Sequence, residues 1–154
     1  MQIETSRFGT IEVTEKEIIA FPEGLLGFPN HKKYALLPMP ENPYFYWLQS
    51  LTDKDLAFLL VDPFVFFPKY EVHLEDKVLK FTKVTSPNQV AILTIVTIPH
   101  TGVKKATTNL VGPVVINLQE LIGRQVVLQG TEYTTKHLLF AKANKKQKAL
   151  HESR

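Results

Sequence analysis

With 154 residues, 44% of them hydrophobic, the chain has room for one domain with a sizeable core, since a domain of about 150 residues buries about 70% of its unfolded surface. The absence of cysteine excludes disulfides, thiolate metal sites and cysteine nucleophiles, and no run of about 18 apolar residues is present to cross a membrane as a helix. The net charge of +3 is unevenly spread: residues 1–76 carry six Lys or Arg against twelve Asp or Glu, whereas residues 77–154 carry twelve against three.

The opening "MQIETSRFGTIEV" has neither a basic n-region nor an apolar h-region, as expected of a cytoplasmic protein. "QIETS" and "TIEV" alternate apolar and polar residues on either side of a turn that contains Gly9, which predicts a hairpin. "FPEGLLGF" at 21–28 reads as a Pro- and Gly-directed turn. "YALLPM" (34–39), "YFYWLQSL" (44–51), "LAFLLVD" (56–62), "YEVHL" (70–74), "VAILTIVTI" (90–98), "VGPVVIN" (111–117), "RQVVLQ" (124–129) and "TTKHLLF" (134–140) add short runs rich in β-branched and aromatic residues. The continuous apolar runs 56–61 and 90–98 predict central strands covered on both faces.

Helical signals are local. Thr14 with Glu17, Thr52 with Asp55, and Asn117 with Glu120 each have an N-cap residue followed three positions on by an acidic one, predicting single turns, the third ending at Gly123. Many short strands, a few one-turn helices and no internal repeat predict an all-β, single-domain, barrel-like fold over residues 1–141. Residues 142–154, with five bases and one acid, read as a basic, flexible C-terminal tail. A basic tail on a near-neutral body is weak support for nucleic-acid binding.

Catalytic patterns are lacking. The five His form no HExxH and no metal-ligand spacing, the four Ser include no nucleophile elbow, and the seven Gly build no phosphate-binding loop. "DKD" at 53–55 reads as a capped turn in water. No catalytic residue, metal or cofactor is expected.

The stretch "DPFVFFPKY" (62–70) concentrates four aromatic side chains between and beside two prolines. Pro63 and Pro68 lack amide donors and restrict the residue before each, which predicts that "FVFF" is a short extended or edge piece. Alternation in "YEVHL" points Tyr70, Val72 and Leu74 one way and Glu71 and His73 the other. The stretch therefore either covers an open end of the barrel or forms a protein-binding ridge, with a small-molecule pocket as a third reading. Trp47, alternating with Tyr44 and Tyr46 and on the same side as Phe45, reads as core.

"FPEGLLGF" at 21–28, "YFYWLQSL" at 44–51, "DLAFLLVDPFVFFPKYEVHL" at 55–74 and "TTNLVGPVVIN" at 107–117, in this order, resemble the bacterial flagellar assembly factors of the FliW family over about residues 1–140. The resemblance implies a non-enzymatic cytoplasmic regulator, monomeric when free, with two protein partners and no direct contact with nucleic acid or membrane. Such proteins bind flagellin before its export; once released from it they bind the translational repressor CsrA and relieve its block on flagellin mRNA. A basic partner would be steered by the acidic first half, including Glu23, Asp53, Asp55, Glu71, Glu75 and Asp76, and an amphipathic flagellin segment would suit an apolar groove. The residues placed at a partner surface are Tyr44, Tyr46, Phe64, Phe66, Phe67, Tyr70, Glu71, His73 and Asp76. A small-ligand or nucleic-acid-binding β-barrel is the alternative reading.

Overall fold

In the computed structural model, the structure describes residues 1–140; the basic tail expected at 142–154 lies outside them. Eleven strands run in chain order: β1 (Gln2–Thr5), β2 (Gly9–Glu12), β3 (Ile18–Ala20), β4 (Lys33–Pro38), β5 (Phe45–Ser50), β6 (Ala57–Val61), β7 (Val90–Thr97), β8 (Thr107–Thr108), β9 (Val114–Asn117), β10 (Ile122–Gln125) and β11 (His137–Leu138). Two short helices, α1 (Pro63–Phe66) and α2 (Asp76–Phe81), fall between β6 and β7.

The expected barrel is present. Strands β7-β6-β5-β4-β3-β10-β9 pair in that order, and β9 returns to β7 through Val114–Asn117 against Val90–Leu93, so seven strands close on themselves. Closure leaves the seven barrel strands no open edge along their paired residues, the kind of edge that invites association with other chains. All pairings are antiparallel except β10 on β3, which meet at Ile122 and Ala20. The second half of β7 carries β8, and β8 carries β11, as a short flap off the barrel.

Alternation along each strand sorts its side chains between the lumen and an outer layer. Ile19, Tyr34, Leu48, Leu60, Leu93, Val114 and Ile116 fill the lumen together with Phe21 and Leu25. Gly123 of β10 faces the same space, and a Cβ there would lie 2.5 Å from Cε1 of Phe21. Outside, the β1–β2 hairpin covers Ala35 and Leu37 of β4 with Ile3, Ile11 and Val13. A second outer layer on β5–β7, made by Phe45, Leu59, Val61 and Val96, is covered by Phe66, Phe67, Leu139 and Phe140. The apolar run 56–61 thus has partners on both sides because β6 separates the lumen from this outer layer, whereas 90–98 is covered only in part: Leu93 faces the lumen and Val96 the outer layer, but Val90 and Ile92 line a groove on the surface and Ile98 is 48% exposed.

Several local expectations are corrected. "FVFF" is helical: Asp62 is an N-cap whose carboxylate accepts from the Phe64 amide at 3.0 Å, and Pro63 begins α1, where its missing N–H has no helical partner to lose. The restriction that proline places on its predecessor falls on Asp62 and Phe67, which bracket the turn. "YEVHL" joins no strand; the Tyr133 hydroxyl, a side-chain group, accepts from the Glu71 amide at 3.1 Å. "RQVVLQ" is shifted, its first two residues ending β10.

The Thr14 turn forms with its reciprocal cap to Glu17, but neither Thr52–Asp55 nor Asn117–Glu120 winds a helix. Asn117 instead accepts from the Gln119 and Glu120 amides, both at 3.0 Å, and donates to the Thr82 carbonyl at 2.9 Å, tying the end of β9 to the end of α2. The left-handed residue of that turn is Leu121, with φ of 56°, and Gly123 is a strand residue. α2, β3 and β8 carry too few residues for their periodicity to be read from sequence.

Candidate functional site

Between α1 and α2 the chain crosses the outside of the barrel in extended form, anchored at one end by Tyr70. Tyr70 is 4% exposed, donates its hydroxyl proton to the Leu110 carbonyl at 2.6 Å, and meets the Tyr133 ring edge-on at 4.8 Å between centroids. Burial away from water, with a smaller contribution from Tyr133, holds its phenol well above the ordinary tyrosine range.

From this anchor, residues 71–75 form a ridge with a groove on either side. Glu71, His73 and Glu75 line one groove, of about 440 Å³, whose opposite wall is Val126–Gln129 with Thr131, Glu132 and Tyr133. Val72 and Leu74 line the other, of about 460 Å³, together with Phe64, Leu79, Val84, Pro87 and Ile92. The period-2 alternation read in "YEVHL" is therefore real, but it sorts side chains between two grooves rather than between a core and water.

The grooves differ in chemistry. Three carboxylates (Glu71, Glu75 and Glu132) and no Lys or Arg line the first, although Glu75 makes an exposed ion pair with Lys77 at 3.5 Å. An exposed pair of that kind is worth at most about 1 kcal/mol and leaves the field of the groove negative. The second is lined by aliphatic side chains, one aromatic ring, and Thr85 and Ser86 with the Pro87 that follows them. Concave apolar surface of this kind suits a helix face or an aliphatic side chain.

The nine surface candidates separate on this frame. Phe64, Glu71 and His73 are brought together at the ridge, exposed and lining the grooves. Tyr70 lies beneath it, built into the interior with its hydroxyl already bonded, so the side chain placed at a surface is a structural anchor. Asp76 is exposed at the first turn of α2 and lines neither groove. Phe66 and Phe67 pack into the outer layer, Phe66 edge-on to Phe45 and Phe140 at 5.8 Å each. Tyr46 packs against the lumen cluster, and its neighbour Tyr44 is 46% exposed beside Asp62, whose amide donates to the Tyr44 carbonyl. The aromatic cluster of 62–70 is thus mainly cover for the barrel wall, with Phe64 at the surface. Trp47 is half-buried in the same outer layer, under the Arg7 guanidinium at 4.1 Å.

Sequence reasoning did not find the far walls. Val126–Tyr133 follows the ridge by more than fifty residues, and its only signal was the apolar run in "RQVVLQ". Val84 and Pro87, which precede β7, and Ile92, which lies within it, carried no signal beyond that strand.

A filled lumen and two surface grooves divided by one extended ridge define the class: a small, closed, mostly antiparallel β-barrel with concave surface on the outside of the barrel. The family model for the FliW protein matches residues 2–139, and the chain belongs to the FliW family. A flagellar assembly factor FliW of Moorella thermoacetica is 45% identical over 140 residues, 91% of this chain and 89% of that protein. Another, of Natranaerobius thermophilus, is 43% identical, covering 91% and 93%. A crystal structure of the flagellar assembly factor FliW superimposes with a TM-score of 0.84 at 39% identity, over 90% of this chain and 96% of that one.

Proposed function

We propose that this chain is a non-enzymatic, cytoplasmic flagellar assembly factor, monomeric when free, that holds flagellin before export and, once released from it, binds the repressor CsrA and relieves its block on flagellin translation. Family membership supports the general role. The observation that carries the mechanism is the ridge 71–75, whose odd residues face an acidic groove and whose even residues face an apolar one. The apolar groove suits an amphipathic flagellin segment, and the acidic groove suits a basic repressor surface.

Because both grooves share one strip of backbone, an occupant of either biases the shape of the other. Linkage then requires that each partner weaken the other by the same factor, and a useful switch needs a coupling of about 1–3 kcal/mol. The lumen is packed with side chains, which speaks against a ligand held inside the barrel, and the acidic lining speaks against nucleic acid.

The test is a set of titrations of Glu71→Lys, alone and with Glu75→Lys, against purified flagellin and purified CsrA at two salt concentrations, with a ternary mixture. Weaker CsrA binding, most marked at low salt, with flagellin binding retained and stability within about 0.5 kcal/mol of the parent is expected. Equal loss for both partners would remove the partner-selective assignment of the grooves, and a ternary complex with undiminished affinities would remove the switch.

A further inference from the structure

We propose that the acidic groove binds its partner by strand addition: an extended segment with basic side chains at alternate positions pairs with the free backbone edge at Val127 and Gln129. The inference rests on the reading of this groove as the site for a basic partner and specifies the form in which that partner binds.

The β9–β10 pairing continues past the end of β10. The Val126 amide donates to the Pro113 carbonyl at 2.9 Å and the Leu128 amide to the Val111 carbonyl at 2.8 Å. This follows the register that sets Ile122 opposite Asn117 and Gln125 opposite Val114. In an antiparallel strand the amides and carbonyls of alternate residues point to opposite edges. With residues 126 and 128 turned toward 113 and 111, residues 127 and 129 present theirs to the other side.

Nothing else in the described fold takes that edge. β3, the neighbour there, leaves β10 after Ala20, and no hydrogen bond to the Val127 or Gln129 amide is made among the described residues. Both residues are exposed, Val127 by 48%. All four consecutive residues 126–129 line the groove, whereas a groove over one face of a strand is lined by alternate residues. The groove therefore runs along the edge, where a row of unpaired donors and acceptors is a template for another strand.

The remaining walls select the occupant. Glu71 and Glu75, four residues apart on the ridge, and Glu132 of the opposite wall line the channel. Side chains of an added strand alternate between its two faces, so a segment with Lys or Arg at every second position sets its charges toward the ridge while its backbone pairs with residues 127 and 129. Specificity then comes from charge and affinity from main-chain hydrogen bonds.

Fluorescent seven-residue peptides test this on the full chain: Lys alternating with Thr, the same sequence with Glu for Lys, and two N-methylated isomers of the Lys peptide, one methylated at the Lys amides and one at the Thr amides. N-methylation leaves charge unchanged but removes donors from one edge of the added strand. Binding of the Lys peptide, none of the Glu peptide, and loss of about tenfold or more for one methylated isomer but not the other are expected. Glu71→Gln with Glu75→Gln and Glu132→Gln should weaken the Lys peptide by a similar factor. Equal behaviour of the two isomers overturns strand addition.

If the peptide binds only after Lys145, Lys146 and Lys148 are changed to Gln, the occupant is the chain's own basic end, and the assignment to a partner is overturned. If no peptide binds while CsrA still does and Glu71→Lys still weakens it, strand addition fails and the proposed function stands. If the peptide binds and CsrA does not, the choice of CsrA fails and the groove assignment stands.

Discussion

Tyr70→Phe isolates the anchor of the ridge. The substitution keeps the ring, with its edge-on contact to Tyr133 and its tilted contact to Phe64, and removes the hydroxyl that donates to the buried Leu110 carbonyl at 2.6 Å. Leaving that carbonyl without its donor should cost about 1–3 kcal/mol at neutral pH, or a fall in melting temperature of roughly 3–10 °C for a domain of this size.

The pH dependence sharpens the test. Burial raises the folded-state pKa of Tyr70 above its unfolded value of about 10, so the neutral form is favoured in the fold and the stabilisation is complete below about pH 10. As pH rises beyond that, the unfolded chain releases the proton first, and stability falls by about 1.4 kcal/mol per pH unit for this one group. Tyr70→Phe has no such proton to lose. The gap between parent and variant in urea titrations should therefore narrow between pH 10 and pH 11.5 by up to about 2 kcal/mol. Tyr34, 0% exposed in the lumen and pushed up to about 12 by burial, steepens the alkaline limb of both proteins alike and cancels in the difference. A gap that stays constant with pH, or the absence of any gap at neutral pH, would refute the claim that this hydroxyl is buried and donating.

Two further perturbations probe the barrel and its limit. Gly123→Ala sets a methyl 2.5 Å from the Phe21 ring, whose neighbours in the lumen leave it little freedom; chemical denaturation should show a loss of about 1–3 kcal/mol, and an unchanged midpoint would mean that the lumen is looser than described. Ending the chain at residue 141 removes a segment with five bases and no strand-like apolar pattern, so the melting temperature should be retained, and a large fall would show that the removed residues belong to the folded domain.

Some of this molecule is written locally. The β1–β2 hairpin follows from alternation around Gly9, and the Thr14 turn from a cap and an acid three residues on. The run at 56–61 is apolar on both sides because the closed barrel gives β6 an inner and an outer neighbour, whereas in 90–98 the outward residues Val90 and Ile92 meet a surface groove instead. Where local rules competed, the outcome depended on which neighbour proline acted upon: at Pro63 the restriction fell on Asp62, which became a cap, and "FVFF" wound into a turn.

The motifs at 21–28, 44–51, 55–74 and 107–117 carry the family resemblance in the sequence itself. The alternation of Glu71, Val72, His73, Leu74 and Glu75 was equally visible, because a period of two is a property of an extended backbone whatever lies beside it. What lies beside it was decided by tertiary structure alone. Residues 126–133 reach the ridge only through barrel closure, and the distribution of 62–70 between wall cover, anchor and surface depends on which side of the wall each ring meets. A sequence records which side chains can share a face, whereas a groove is made by two segments distant in sequence, and their approach is settled by the packing of the whole chain.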